Sequence, residues 1–123
     1  MGKGKKKPDY TSYDLAKKAA EIALDKKANN VIILDLKNLT SITDYFVICS
    51  GEIDLHVKAI VDEIEKKLSP YANPWHIEGY SNLSWVLMDY VDFVVHVFTE
   101  EKRNYYNLER LWADAPMEIV ESD

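Results

Sequence analysis

The segment 93–98 is apolar at both parities of an extended chain, and this constrains the fold more than any other feature. Successive side chains of a strand point to opposite faces, so a strand that is apolar on both faces must be covered on both. Residues 31–34 form a second unbroken apolar run, rich in β-branched side chains. The chain therefore needs a sheet with buried strands and helices packed against it.

Helical and strand-like patterns alternate along the rest of the chain. Apolar residues recur at helical spacing in 15–23 and 53–68, and 101–111 is typical of a short helix. Strands are predicted, in sequence order, at 31–34, 45–49, 75–78, 85–89 and 93–98. This order predicts an α/β fold with a five-stranded mixed sheet and helices packed on it.

Charge separates a basic start from an acidic remainder. The formal net charge is -6, from 15 basic and 21 acidic residues. Four lysines lie within residues 1–8, and without them 11 basic residues face 21 acidic ones, a net charge of -10. An acidic domain is repelled by phosphate backbones, which disfavours DNA as a partner and favours a basic protein surface.

We predict a basic disordered tail at 1–8, a single domain at 9–116 and a C-terminal tail at 117–123. The lysines of the first segment favour a solvated leader or a cloning remnant, with a contact to RNA as the alternative. No apolar run approaches the roughly 20 residues that span a membrane, and no secretory signal follows the basic start. The single cysteine, Cys49, suits a reducing compartment and is predicted to be a buried thiol, so we expect a soluble cytoplasmic protein.

The sequence predicts no catalytic, cofactor or metal site. The glycines inside the fold, Gly51 and Gly79, are isolated, so a glycine-rich nucleotide loop is not formed. The histidines His56, His76 and His96 lie on different elements without metal-ligand spacing. His96 has apolar neighbours on its strand face, which favours a hydrogen-bonded core histidine.

The strand that ends in Ser50-Gly51 before a helix is similar to that of nucleotidyltransferases. Those enzymes need two carboxylates on alternate residues of one strand, so that both reach the same metal ions. Here Asp92 is followed at the alternate positions by Val94 and His96. The metal-binding pair is missing, which argues against that chemistry.

Several segments in combination resemble the Iojap family of ribosomal silencing factors. They are DYFVICSG (44–51), HVKAI (56–60), EGY (78–80), WVLMDY with DFVVHVF (85–98) and YYNLERLW (105–112). They occur in the family order, and the resemblance extends from Leu15 to Pro116. Two departures are the apolar Ile53 and Leu55 at the start of the second helix.

The resemblance implies a nucleotidyltransferase-like fold without catalytic carboxylates, and therefore no enzymatic activity, cofactor or small-molecule substrate. It implies a bacterial cytoplasmic protein that forms a homodimer when free. It further implies binding to the large ribosomal subunit through large-subunit ribosomal protein fourteen, which blocks joining of the small subunit and represses translation under nutrient limitation. Two alternatives stay open: a nucleotide-binding or nucleotidyltransferase-like enzyme, and a protein-binding adaptor in ribosome assembly.

A third departure concerns the turn between the last two strands. The chain has Val91 where the family usually has glycine. A β-branched residue is poorly suited to positive φ, so we expect this turn to differ in shape.

The predicted partner contacts centre on one strand. Trp85, Leu87 and Asp89 share a face by parity and form a compact epitope for a basic partner. The alternative is that Trp85 packs under a helix and Asp89 caps a turn. Tyr80 and Tyr90, at strand ends, are predicted rim contacts.

Three further residues complete the predicted partner contacts. They are Met88 on the opposite strand face, and His56 and Lys58 beside the apolar stripe of the second helix. For the last two, a solvated helix face is the alternative. A dimer interface, or else a covering of the core, is predicted for four residues at helical spacing near the C-terminus: Tyr105, Leu108, Leu111 and Trp112.

Overall fold

The computed structural model describes residues 10–121, so the basic segment at 1–8 lies outside the described residues. Within that range the chain forms four helices and six strands. In order they are α1 (Ser12–Asp25), β1 (Asn29–Asp35), β2 (Tyr45–Gly51), α2 (Asp54–Leu68), β3 (His76–Glu78), β4 (Trp85–Asp89), β5 (Phe93–Thr99), α3 (Glu100–Tyr106), α4 (Leu108–Leu111) and β6 (Met117–Ile119).

All the strands belong to one mixed sheet in the order β3-β4-β5-β2-β1-β6. The pair β2–β5 is parallel and the other neighbours are antiparallel. The predicted α/β class is confirmed, and the doubly apolar β5 lies inside the sheet between β4 and β2, as its sequence indicated.

The sheet has six strands instead of the predicted five. The added strand, β6, lies in the segment 117–123 that we predicted to be a C-terminal tail, and it pairs with β1. Three residues are too few to show a strand pattern in the sequence. The strand forms because the free edge of β1 supplies its hydrogen-bond partners. The backbone N–H of Val120, just after β6, donates to the oxygen of Val31 at 2.9 Å.

The helices α1 and α2 lie on one face of the sheet, which we call the covered face. A capping box begins α1: the Thr11 hydroxyl accepts from the Asp14 N–H at 3.0 Å, and the Asp14 carboxylate accepts from the Thr11 N–H at 3.1 Å. The apolar stripe predicted for α2 began at Ile53, but Ile53 precedes the helix as its N-cap residue and is 61% exposed. The other five members of the stripe are fully buried: Val57, Ile60, Val61, Ile64 and Leu68. The main hydrophobic core therefore lies between these helices and the sheet.

The helices α3 and α4 lie on the opposite face, which we call the open face because they cover only part of it. The single helix predicted at 101–111 is broken at Asn107, which adopts a left-handed conformation with φ of 49°. Asparagine tolerates this conformation, and its side chain accepts from the Arg110 N–H at 3.3 Å to begin α4. A smaller core cluster forms beneath the two helices: Ile32, Leu34, Leu36, Ile48, Phe98, Leu108 and Ala115.

A buried arginine attaches α3 to the sheet. Arg103 Nη1 donates to the Asn30 oxygen at 2.7 Å, and its Nε and Nη2 donate to the Glu109 carboxylate at 3.0 and 2.7 Å. Its guanidinium also lies within 3.5 Å of the Ser50 hydroxyl. Polar contacts of a buried side chain therefore help to hold the second helical layer on the sheet.

Candidate functional site

The strand β4 divides its side chains between the two faces as its alternation predicted. Val86 and Met88 are fully buried on the covered face, whereas Trp85, Leu87 and Asp89 are half-buried on the open face. The opposite register positions on β5 are occupied by Phe98, His96 and Val94. The predicted epitope is therefore a continuous row on the face that helices cover least.

Trp85 combines the two alternatives considered for it. Its indole Nε1 donates to His96 Nδ1 at 3.1 Å, and its ring packs against Phe98 and the α3 residue Tyr106 with centroid distances of 4.9 and 4.6 Å. The side chain is thus anchored under a helix, yet part of it reaches solvent. A fixed aromatic with an exposed edge is suited to binding because little side-chain freedom remains to be lost.

Asp89 also holds the turn that follows it. Its Oδ1 accepts from the Val91 N–H at 2.8 Å. Val91 adopts the positive φ, 75°, that its β-branched side chain disfavours, and the Asp92 N–H donates to the Tyr90 oxygen at 2.9 Å in a γ-turn. Val91 therefore occupies a strained position of positive φ in this turn.

An apolar groove of about 230 Å³ lies beside Leu87 and Asp89. Its lining includes Val94, Phe46 and Trp112, and it ends at Ile42, whose side chain is 82% exposed. The sequence did not single out Ile42, because the segment 37–44 reads only as a polar connection. Its apolar members are brought to the open face by the tertiary fold.

His96 lies in this groove as the buried histidine that the sequence predicted, with only 3% of its surface exposed. Burial in these apolar surroundings lowers the pKa of His96 to about 3, because the charged imidazolium would be deprived of water. The ring is therefore neutral at physiological pH.

Met88 and Tyr90 do not belong to the accessible surface. Met88 is fully buried, and Tyr90 is 7% exposed with its ring stacked on Phe93 at a centroid distance of 4.7 Å. Burial also raises the pKa of the Tyr90 hydroxyl. Its place at a strand end suggested exposure, but the hairpin folds its ring into the core, so both residues leave the candidate surface.

Tyr80 and Lys58 meet around α2 on the covered side of the sheet, away from Asp89. The Tyr80 hydroxyl donates to Asp62 Oδ1 at 2.7 Å, and Lys58 Nζ donates to Asp62 Oδ2 at 2.8 Å. The hydrogen bond to Asp62 raises the pKa of Lys58. This cluster ties the β3–β4 connection to α2 and does not extend the open-face row.

His56 has a structural setting at the start of α2. Its Nδ1 accepts from the Glu52 N–H at 3.1 Å, so its Nε2, which lies 2.8 Å from the Lys26 oxygen, is the donor. These bonds join the start of α2 to the end of α1. Sequence alone could not reveal them, because the partners are 4 and 30 residues away.

The predicted dimer residues divide into exposed and packed members. Tyr105 and Leu111 are 76% and 73% exposed, whereas Leu108 is buried. Trp112 is half-buried against Phe46, with ring centroids 5.9 Å apart. The end formed by α3 and α4 thus presents these two large side chains to solvent, together with Tyr106, which is 42% exposed.

The described part of the chain contains no group of three or more His, Cys, Asp or Glu side chains placed to hold a metal ion. Among residues 10–121, none of the helices has the length and apolar character required to span a bilayer. Cys49 is fully buried, and desolvation raises the pKa of its thiol to about 12.

Comparison with known proteins gives consistent matches over most of the chain. Residues 9–123 match the family described as "Ribosomal silencing factor during starvation". A ribosomal silencing factor of Bacillus subtilis is 41% identical over 104 residues, which cover 84% of this chain and 88% of that protein. The chloroplastic Iojap protein of Zea mays is 34% identical over 113 residues, covering 88% of this chain and 46% of that longer protein. The crystal structure of a protein from Chromobacterium violaceum matches with a TM-score of 0.82 and 30% identity, covering 92% of this chain and 95% of the other.

Proposed function

This chain belongs to the ribosomal silencing factor family, and from that premise we propose that it docks on the large ribosomal subunit through the open face of its sheet. Docking on large-subunit ribosomal protein fourteen covers a surface that the small subunit needs. The bound protein then blocks subunit joining and represses translation when nutrients are limiting. The family assignment also makes the chain a regulatory protein and not an enzyme.

The observation that carries this proposal is the half-buried row on β4 beside the apolar groove. Leu87 and the exposed edge of Trp85 offer apolar area, and Asp89 adds a carboxylate at the margin. Protein interfaces combine a compact apolar centre with a polar rim, and aromatic residues dominate their energetics. The row and the groove have this composition.

Charge supports a basic protein as the partner. The chain carries a formal net charge of -6. Asp89 lies at the groove, and the Asp44 N–H donates to the Asp92 oxygen at 3.0 Å, so two more acidic residues stand at this end of the sheet. Complementary charge speeds association and rejects acidic competitors.

The proposed action is steric and needs no bound cofactor. We place the protein in the bacterial cytoplasm, where both ribosomal subunits are available. When free, it self-associates through the exposed Tyr105 and Leu111 at the α3–α4 end. Equilibrium sedimentation of the parent and of Leu111→Glu tests this step, with a monomeric parent as the result that rejects it.

Docking is tested by cosedimentation with separated large and small subunits. The parent is expected to pellet with large subunits alone. Asp89→Lys reverses the charge but also removes the acceptor for the Val91 N–H, so Asp89→Asn, which keeps an oxygen there, is the sharper variant. We expect Asp89→Asn to weaken binding about tenfold and Asp89→Lys to abolish it.

A matched control is Glu21→Lys, a charge reversal on an exposed residue of α1 at the covered face. It is expected to bind as the parent does. If Asp89→Lys also binds like the parent, the epitope is wrong although docking stands. If the parent pellets with neither subunit, docking itself is rejected, and an assembly adaptor with another protein partner takes its place.

A further inference from the structure

The imidazole of His96 has its proton position fixed by Trp85. An indole N–H can only donate, and Trp85 Nε1 lies 3.1 Å from His96 Nδ1, so Nδ1 is the acceptor. The neutral ring then carries its proton on Nε2. Since burial holds the pKa of His96 at about 3, this neutral form persists at every physiological pH.

The N–H group at Nε2 lacks a hydrogen-bond acceptor within the described part of the chain. His96 Nε2 is buried and has no hydrogen-bond partner among residues 10–121. Most buried donors in folded proteins have an acceptor, so an orphaned one calls for an explanation. The ring belongs to the lining of the groove on the open face, where an incoming group would meet it.

The side chains around His96 Nε2 indicate which chemical groups a partner must bring to the groove. Leu87, Val94 and Phe46 give the groove apolar walls, and Asp89 supplies an anionic margin. An apolar side chain can pack against the walls, an oxygen atom can accept the hydrogen bond from Nε2, and a cation can pair with the carboxylate. A segment of polypeptide with a basic residue beside an apolar one provides all three, because each residue also carries a main-chain carbonyl.

A second copy of this chain fits the groove less well. Each copy has a formal net charge of -6, so the acidic margin favours a basic protein over an acidic one. We infer that the groove receives one apolar side chain of a basic protein segment, and that His96 Nε2–H donates to a main-chain carbonyl of that segment. This inference rests on the proposed docking of the open face and makes His96 a specificity-determining contact.

The proton position is tested on the free protein, independently of ribosomes. Long-range ¹H–¹⁵N correlation spectra of ¹⁵N-labelled protein distinguish a protonated from an unprotonated ring nitrogen. We expect His96 to show a protonated Nε2 and an unprotonated Nδ1 at neutral pH. A proton on Nδ1 would overturn the inference and leave the proposed docking untouched.

The contact is tested by two variants compared in cosedimentation with purified large subunits. Trp85→Phe/His96→Leu removes the orphaned donor together with its internal partner, whereas Trp85→Phe alone keeps the imidazole. The same ¹H–¹⁵N spectra of Trp85→Phe check that the ring proton stays on Nε2 without the indole donor. Thermal denaturation of both confirms that each is folded at the assay temperature. We expect the double variant to bind about tenfold more weakly than Trp85→Phe, as for one hydrogen bond lost from a buried site.

Equal binding by the two variants overturns the inference, since an internal water would then suffice for Nε2. A parent protein that fails to pellet with large subunits overturns the proposed function as well. That outcome is distinguishable because it appears without any substitution at His96.

Discussion

The two faces of the sheet are built from the same strands but are covered in different ways. On the covered face, the α2 stripe that includes Ile60 and Ile64 is fully buried against β-branched strand residues. On the open face, two short helices leave Leu87 half-exposed beside a groove, and Arg103 joins one of them to the sheet. One face is therefore closed by apolar packing, whereas the other keeps accessible surface, the surface on which we propose docking.

The largest expected effect tests how the second helical layer is attached. Arg103→Ala leaves the Asn30 oxygen and the Glu109 carboxylate without their buried partner. We expect the free energy of unfolding to fall by about 4 kcal/mol, as when one member of a buried ion pair is removed. Urea denaturation measures the loss, and Arg110→Ala, on an exposed residue of α4, is the matched control.

A loss from Arg103→Ala no larger than that of the control would break the comparison. It would mean that apolar contacts hold both helical layers alike.

Neighbouring residues of β4 allow the two faces to be compared directly. Met88 is fully buried towards α2, so Met88→Ala should cost about 3 kcal/mol of unfolding free energy through the cavity that it leaves. Leu87 is half-buried on the open face, and Leu87→Ala should cost about 1 kcal/mol. Subunit binding should follow the reverse order, with Leu87→Ala the weaker binder.

Binding is compared at a temperature where both variants of this pair are folded. If Met88→Ala weakens binding as much as Leu87→Ala does, the faces are not functionally distinct.

A pH titration sharpens the comparison at His96. Burial lowers the pKa of His96 to about 3, below the ordinary histidine value of 6.5. The unfolded chain therefore takes up the proton first, so stability is complete above pH 6.5 and falls as the pH decreases towards 3. Between about pH 6.5 and 5 the expected loss is about 2 kcal/mol, at roughly 1.4 kcal/mol per pH unit.

The matched control for this titration is Trp85→Phe/His96→Leu, which lacks the buried imidazole. Between pH 6.5 and 5 its free energy of unfolding should fall by less than that of the parent, and the difference should equal the loss assigned to His96. Chemical denaturation at several pH values gives both curves. Identical slopes for parent and variant would show that His96 is not held in a neutral state by burial.

The smallest effect is expected at the turn between β4 and β5, at the end of both faces. Val91 holds φ at 75°, and Val91→Gly relieves the strain at the cost of greater freedom in the unfolded chain. A net gain of about 1 kcal/mol should appear as a higher melting temperature. Val91→Ala should give little of this gain, because alanine at positive φ stays strained; an equal gain would assign the effect to side-chain packing.

Much of the covered face could be predicted from sequence because periodicity reports burial. The α2 stripe from Val57 onward and the doubly apolar β5 lie where their patterns indicated. The alternation of β4 also predicted which of its side chains share the open face. These features depend on local spacing, which a sequence displays directly.

The remainder depends on contacts between distant segments. The strand β6 forms because β1 offers an edge, and the helix at 101–111 breaks at Asn107, where a left-handed residue changes its direction. The burial of Tyr90 comes from stacking on Phe93 across a hairpin. The groove brings Ile42 together with strand residues more than 40 positions later, so no local sequence pattern predicts the groove.

The burial of Cys49 has a practical consequence for studying both faces. It is the only cysteine in the chain, and a thiol whose pKa is raised to about 12 yields almost no thiolate, the form that reacts with alkylating reagents. A cysteine introduced at exposed Glu21 or at Ile42 would therefore be the single reactive position. One maleimide chemistry can then place a fluorophore on either face in turn and report which of them becomes shielded on the ribosome.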